Sequence, residues 1–321
     1  MFFTNEPGLA PDDISFRPGE IALANESRFS SGNFSIPLTE YLTGWRDPNG
    51  IEDILDFIAP PVQTGRVVEF KKTDNAESFY SELDDVRAIG AAFKRVEYTG
   101  TTAHAKVLNK GLTLRLDSDE LGETPDWQEA AVRRLKQRLL RNELRRVAAA
   151  MIDAATDAAK TWDATAGKDP DQDVLTDLIA AEEESGIRPN RVAYGESAWQ
   201  KRLLSHRAQN TAGGFASAGL SPEALTGFLG VHSIKISRER YQSSAAAKTK
   251  ILPDVVLSFY GEDQIGKDDP SNAKRFWHAC RGGEMFGVYV EDTGKFIDVT
   301  VEHYSVAVIT SVLGLRTLTI S

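Results

Sequence analysis

The chain has 321 residues, with 37 Lys and Arg against 47 Asp and Glu, which gives a formal net charge of −10. This acidic balance argues against a general nucleic-acid-binding protein, and a hydrophobic content of 41% is too high for intrinsic disorder. No apolar run reaches the ~20 residues of a membrane helix, and residues 1–7 lack the features of a secretory signal. Cys280 is the single cysteine, so an internal disulfide and a multi-cysteine metal cage are excluded. We therefore expect a soluble protein of one large domain or two intimate ones, made in a reducing compartment and without a membrane partner.

The first 61 residues are predicted to form an extended arm. They contain seven of the 13 prolines, which argues against a long helix or a central strand. The same stretch is rich in aromatic residues that need a surface on which to pack, either on their own domain or on another subunit. We expect anchors on other subunits at Phe16, Phe29, Phe34 and Trp45. One short helix is predicted at about 50–58, where apolar residues recur with helical spacing.

Residues 66–116 have the pattern of β-structure. Strands are predicted at 66–71, 93–98 and 110–116. Between the first two, residues 74–85 contain no basic residue but five acidic ones, namely Asp74, Glu77, Glu82, Asp84 and Asp85. A long two-stranded excursion is marginally stable alone, so this acidic segment is expected to meet basic groups on a neighbouring subunit.

The clearest predicted element is a helix that begins near Thr124, Pro125 and Asp126 and has no Gly or Pro from 127 to about 159. Within it, the window 133–146 contains seven cations and a single acid, Glu143. The basic stripe of this window consists of Arg133, Arg134, Arg138, Arg141 and Arg145. It is either a solvated helix face or a surface for an anion, which could be a nucleic-acid backbone or a neighbour's acidic segment.

The remaining chain alternates between helices and strands. Helices are predicted at 173–185, 197–205 and 221–229, a loop at 209–220, and strands at 191–195, 234–237, 254–260, 285–290, 296–302, 306–310 and 315–320.

Motifs for catalysis or cofactor binding are missing from the sequence. No two histidines are closer than 25 residues, and no glycine-rich phosphate loop occurs. A nucleophile elbow at Gly195-Glu196-Ser197 lacks its second glycine because position 199 is Trp, so Ser197 is predicted to be a helix N-cap. Cys280, beside His278, is predicted to be a small buried residue rather than a nucleophile. We therefore predict no catalytic residue, no metal site and no cofactor.

The order of these elements resembles the major capsid protein of tailed bacteriophages, the Hong Kong ninety-seven-type shell fold, which encapsulins share. The resemblance covers nearly the whole chain and is carried by 110–120 followed by 124–159, by 188–195 with Trp199 and 203–206, by 225–231 with 234–237, and by 285–309. It implies an α+β fold with an N-terminal arm (1–61), an extended β-hairpin loop (62–109), a peripheral domain with a long spine helix (110–170 and 285–321) and an axial domain (171–284).

The resemblance also implies a function, that of a non-enzymatic subunit of a virion capsid. Such subunits assemble as pentamers and hexamers into an icosahedral phage head around double-stranded DNA, in the host bacterial cytoplasm. Arm and loop would lace neighbouring subunits together, and the spine helix would turn part of the basic stripe toward packaged DNA for non-specific contacts. Scaffolding, portal and decoration proteins are further candidate partners.

Two alternatives remain at this point. An encapsulin-type nanocompartment would use the same fold around protein cargo, which the content of the particles distinguishes. A hydrolase or transferase with a site made of scattered Asp, Glu and His residues would be distinguished by measurable catalysis.

Overall fold

The computed structural model describes residues 29–72, 85–95, 101–121, 126–165, 167–263 and 269–321. The helices of this part are α1 (Ile36–Gly44), α2 (Ile51–Ile58), α3 (Ser118–Leu121), α4 (Trp127–Ala154), α5 (Pro170–Ser185), α6 (Glu196–Ala208), α7 (Ala212–Ala218) and α8 (Pro222–Leu229). Its strands are β1 (Pro61–Gln63), β2 (Val67–Lys72), β3 (Thr101–Lys106), β4 (Leu108–Asp117), β5 (Thr156–Lys160), β6 (Arg191–Gly195), β7 (Ser233–Ser237), β8 (Arg240–Gln242), β9 (Lys248–Lys250), β10 (Val255–Phe259), β11 (Ala273–His278), β12 (Phe286–Asp292), β13 (Phe296–Ile309) and β14 (Arg316–Ile320).

Two five-stranded sheets organise the described chain. In the first, the strand order is β1-β11-β13-β12, and β4 pairs with β13 in antiparallel orientation. In the second, the order is β5-β14-β10-β6-β7. The chain passes from the first sheet (β1, β4) to the second (β5–β7, β10), returns to the first (β11–β13) and ends in the second (β14). The division into arm, loop, peripheral and axial domains stays a prediction.

The long helix α4 packs its apolar side against the first sheet and against α1 and α2. Val132, Leu135, Leu139, Leu144 and Met151 recur with helical spacing and are almost fully buried in the core that they share with β12 and β13. Burying one such side chain contributes about 1.5–3 kcal/mol, so this row holds the helix firmly on the sheet. The predicted helix is confirmed, and it begins at Trp127 with Asp126 as its N-cap residue. Thr124 and Pro125 lie outside the described residues.

Two further apolar clusters complete the fold. One lies beneath the second sheet, where Leu178 of α5 and Leu225 of α8 meet Val256 and Leu318. The other attaches the two-stranded ribbon β2–β3 to the first sheet through Phe70, which packs against Phe276. This contact anchors the ribbon to the first sheet.

The predicted end of the long helix was wrong. Residues Thr156–Lys160 are not helical but form β5, which pairs in parallel with β14. Ala155 already has an extended backbone and ends α4. Pairing with the last strand of the chain, some 160 residues later, outweighs the helical propensity of this alanine-rich stretch.

Other local predictions also fail for identifiable reasons. The second strand of the ribbon is β3, not 93–98, of which 93–95 have no regular structure and 96–98 lie outside the described residues. The predicted loop 209–220 contains α7, whose N-cap Thr211 accepts a hydrogen bond from the Gly214 amide at 3.0 Å. A Cβ on Gly214 would lie 2.5 Å from the His206 carbonyl oxygen, so this glycine permits α7 to pack against α6.

Candidate assembly and anion-binding surfaces

Helix α4 separates the predicted basic stripe into an outer and a half-buried part. Arg134, Arg138, Arg141 and Arg145 are spaced by four, three and four residues, so they share one face, which we call the arginine row. Arg134, Arg138 and Arg145 are exposed, whereas Arg141 is half-buried. Arg133 lies half-buried on a neighbouring face, close to Tyr41. Four of the five predicted residues are therefore brought together on one surface.

The only acid of the basic window, Glu143, points into the core. Its carboxylate accepts hydrogen bonds from Lys110 on β4 at 3.4 Å, from Arg275 on β11 at 3.2 Å and from the Ser305 hydroxyl on β13. Burial opposes ionisation, but His303, Lys110 and Arg275 outweigh it, so the pKa of Glu143 lies well below its ordinary value. Glu143 thus connects α4 to three strands of the first sheet.

His303, a buried neighbour of Glu143, is uncharged near neutral pH. Its Nε2 lies 3.7 Å from the carboxylate, and its ring stacks on Phe286 at 5.2 Å between centroids. Burial lowers the pKa of His303 to about 4, so the imidazole is neutral near pH 7. Both side chains are almost completely buried. This His–acid pair is consequently part of the core packing.

Lys136 is a second charge of α4 that faces inward. Its ammonium donates to the carbonyl oxygens of Leu42 at 3.0 Å and Trp45 at 2.8 Å, and it forms an ion pair with Glu52 at 2.8 Å. Burial lowers the pKa of Lys136, and the contact with Glu52 opposes this shift. The lysine therefore ties α4 to α1 and α2 and is removed from any outer basic surface.

A basic hairpin lies beside the arginine row and was missed in the sequence. It is formed by β8 and β9, and the segment 238–250 contains four cations and one acid, Glu239. The Arg145 guanidinium lies 3.9 Å from the ring centroid of Tyr241, and Arg141 pairs with Glu239 at 3.6 Å. The same charge signal that marked the window 133–146 is present here over a shorter stretch.

The predicted arm anchors contact their own subunit. Phe29 and Phe34 each pack edge-on against Tyr289, at 5.3 and 5.5 Å between ring centroids. Trp45 is half-buried beside Lys136. Phe29 remains 50% exposed, so it retains the most area for a contact with another subunit. Phe16 lies outside the described residues.

Between β2 and β3, the structure describes only residues 85–95 of the extended loop, and most side chains there are apolar or basic. Asp74, Glu77, Glu82 and Asp84 lie outside the described residues, and Asp85 is exposed. Ala91 donates a backbone hydrogen bond to Ala88 in a turn that contains Gly90 at φ 87°. Three large apolar side chains of this turn region stand in solvent, with exposures of 85% for Val86, 105% for Ile89 and 72% for Phe93.

Several single residues that could have carried chemistry have structural surroundings. Ser197 is not an N-cap as predicted, because Gly195 occupies that position and Ser197 contacts Lys250. Cys280 is buried, as predicted, and burial raises the pKa of its thiol to about 12. Within the described residues, no group of three His, Cys, Asp or Glu side chains is arranged for a metal ion. No helix in the described part of the chain combines the length and apolarity needed to cross a membrane.

Comparison with known proteins was informative at the level of structure. No protein-family model and no curated protein matches the sequence. The fold is similar to a phage-related protein of Bordetella bronchiseptica RB50, with a TM-score of 0.64 and 16% identity over 89% of this chain and 96% of that chain. It is also similar to the capsid structure of the cyanophage P-SCSP1u (TM-score 0.53, 10% identity, 99% of this chain and 97% of that chain). A third similar structure is that of Gordonia phage Cozz (TM-score 0.50, 12% identity, 96% and 98%).

These similarities extend over almost the entire length of the chains on both sides. The match is therefore to nearly the whole chain rather than to a small common substructure. The chain therefore has the fold of phage major capsid proteins, which confirms the α+β shell fold expected from the order of its elements.

Proposed function

We propose that this chain is the major capsid subunit of a tailed phage, which assembles as pentamers and hexamers into an icosahedral head around double-stranded DNA. The observation that carries the proposal is the similarity to the cyanophage capsid structure, which spans 99% of this chain. Assembly takes place in the host bacterial cytoplasm, and the shell forms by self-association through many modest contacts acting together. Within the subunit, 1–61 act as the arm, 62–109 as the extended loop, 110–170 with 285–321 as the peripheral domain, and 171–284 as the axial domain.

The exposed turn of the extended loop supports a role in contacts between subunits. Val86, Ile89 and Phe93 lie within eight residues of one another and are largely exposed. Apolar side chains of this size gain about 1.5–3 kcal/mol each when fully buried, so a surface on a neighbouring subunit would stabilise them. Phe29, half exposed on the arm, supplies a further candidate contact.

The surroundings of two of the five histidines, His206 and His303, support a non-enzymatic role. His206 lies 3.1 Å from Asp171, and Arg202 holds the same carboxylate through two hydrogen bonds at 2.6 and 2.8 Å. Asp171, Arg202 and His206 are all buried, as are Glu143 and His303. These His–acid pairs lie in the core, where a substrate would have no access to them.

The proposal is tested by expressing the full chain and imaging the purified product by negative-stain electron microscopy. We expect closed shells of uniform size, and nuclease-resistant DNA in particles purified from phage-producing cells. Protein cargo in place of DNA would favour a nanocompartment instead. A compact monomer under all assembly conditions, including with the phage's scaffolding protein, would overturn the proposal.

The loop contact is tested by Ile89→Asp combined with Phe93→Asp, which should abolish shells while the subunit keeps its melting temperature. The control, Ala88→Asp with Ala92→Asp, adds the same charge to the same exposed turn without removing a large apolar side chain. The control should retain assembly at least in part. Equal loss of shells in both variants would assign the effect to charge and contradict an apolar contact.

A further inference from the structure

The hairpin β8–β9 presents an unusual surface for an acidic protein. Its cations are Arg238, Arg240, Lys248 and Lys250, and residues 240–253 contain no acid. Residues 242–249 are all exposed. The tip, residues 243–247, is Ser-Ser-Ala-Ala-Ala, so small side chains and hydroxyls leave the backbone open to close approach.

Two contacts make this hairpin continuous with the arginine row of α4. The Arg145 guanidinium lies over Tyr241, and Arg141 pairs with Glu239. We call the combined area the basic surface, and its cations are Arg134, Arg138, Arg141, Arg145, Arg238, Arg240, Lys248 and Lys250. Two carboxylates beside it are already paired, Glu239 with Arg141 and Glu196 with Arg240. Exposed Asp153, two turns beyond Arg145, marks the end of the row.

The composition of the basic surface favours a phosphate backbone over a protein partner. The large exposed hydrophobic side chains of the described chain lie elsewhere, and none belongs to α4 or to 238–250. A protein interface needs aromatic or aliphatic anchors, and the one aromatic ring of this surface, Tyr241, is half-buried and already covered by Arg145. A phosphate backbone is bound instead by cations, hydroxyls and backbone amides. Stacking on Tyr241 uses only the face of the Arg145 guanidinium, so its N–H edges remain available to an anion.

The dimensions agree with a duplex. Arg134 and Arg145 are eleven residues apart, which corresponds to about 16 Å along the helix. Successive phosphates of one DNA strand are separated by about 3.4 Å along the duplex axis, so the row spans about five of them. The hairpin widens the surface sideways from Arg141 and Arg145.

We infer that the hairpin β8–β9 and the arginine row of α4 together form one docking surface for the phosphate backbone of duplex DNA. The inference rests on the proposed function, since it identifies the part of the subunit that meets packaged DNA. The hairpin is the new element of this surface, and its cations act with those of α4.

The test measures binding of a fluorescent duplex of about 30 base pairs to the full-length protein between about 50 and 200 mM salt. Arg238→Gln with Lys248→Gln removes two hairpin cations, and Arg134→Gln with Arg138→Gln removes two from the row. Each lost phosphate contact should reduce the slope of log K against log salt by about 0.9, so each double variant should lose up to about 1.8. The control, Arg281→Gln with Lys295→Gln, removes two cations from other turns and should keep the wild-type slope.

The outcomes separate this inference from the proposed function. Loss of slope only in the row variant would remove the hairpin from the surface and overturn the inference. An equal loss of slope in the control variant would show that the effect depends only on net charge, and this result would also overturn the inference. Unchanged slopes with failed assembly would make the surface a contact between subunits. Electron microscopy of the same preparations measures shell formation and so tests the proposed function independently. Variants that form shells but show unchanged DNA binding would overturn the inference and leave the proposed function intact.

Discussion

The two faces of α4 differ in how their charged side chains are surrounded: those on the inner face are buried and paired, and those on the outer face are exposed to solvent. Lys136 and Glu143 are seven residues apart, face the core and are 2% exposed. Arg134 and Arg138 come from the same basic window, face outward and form no ion pair within the described chain. Inside, each charge is held by carboxylates, cations or carbonyls that offset its lost hydration. Outside, water fulfils that role. A charge run on one helix therefore combines structural residues with residues free for binding.

The largest difference between the faces is expected at Glu143. Glu143→Ala leaves Lys110 and Arg275 in the core without their shared carboxylate, and breaking a buried pair in this way costs about 3–5 kcal/mol. Urea denaturation of dissociated subunits, followed by far-UV circular dichroism, measures the loss. Asp153→Ala, an exposed acid on the same helix, should change the free energy of unfolding by no more than about 0.5 kcal/mol. Similar losses in the two variants would show that Glu143 is not a structural centre.

The inner face should also make stability depend on pH. The pKa of His303 is lowered from 6.5 to about 4, so below pH 6.5 the unfolded chain binds a proton that the folded chain does not. The contribution of His303 to the free energy of unfolding is therefore fully present above pH 6.5. It decreases by about 3 kcal/mol as the pH falls toward 4. His303→Gln should flatten the dependence of the unfolding midpoint on pH in this window. An unchanged slope would place the titration on other groups.

The helical part of this comparison could be predicted from the sequence. An uninterrupted stretch with apolar residues at helical spacing predicted α4. The predicted helix 221–229 also begins correctly, at the N-cap Ser221 of α8, and the predicted helix 173–185 ends correctly, before the C-cap Gly186 of α5. The end of α4 could not be predicted, since Thr156–Lys160 becomes a strand only through pairing with β14. The ribbon strand β3 was misplaced because alternation at 93–98 competed with the pairing of β2.

The sequence could not predict which charged side chains of α4 face the core and which face the solvent. The partners of Lys136 are carbonyls from α1 and the residue after it, and Glu143 meets Arg275, which is 132 positions away. No local pattern indicates such contacts. The hairpin cations at 238–250 could have been found, because their charge imbalance is visible in the sequence, but only the fold places them beside α4.

A matched pair of substitutions, one on each face of α4, is expected to give a difference in stability of intermediate size. Lys136→Met leaves the carbonyl oxygens of Leu42 and Trp45 buried without their donor, which costs about 1–3 kcal/mol. Arg138→Met makes the same kind of change two residues later on the exposed face and should cost no more than about 0.5 kcal/mol. Thermal unfolding of both variants gives the difference. Equal melting temperatures would mean that Lys136 is not held by its carbonyl contacts.

The smallest expected effect lies where the outer face meets the hairpin. Arg145 stacks on Tyr241, and a cation–π contact of this kind contributes about 0.5–1 kcal/mol at an exposed site. A double-mutant cycle of Arg145→Gln and Tyr241→Ala should give a coupling energy of that size, measured by urea denaturation. The same cycle with Arg138→Gln should give none, because Arg138 does not contact the ring. A coupling near zero in both cycles would detach the hairpin from α4, whereas a selective coupling means that an outward arginine also holds the neighbouring β-structure in place.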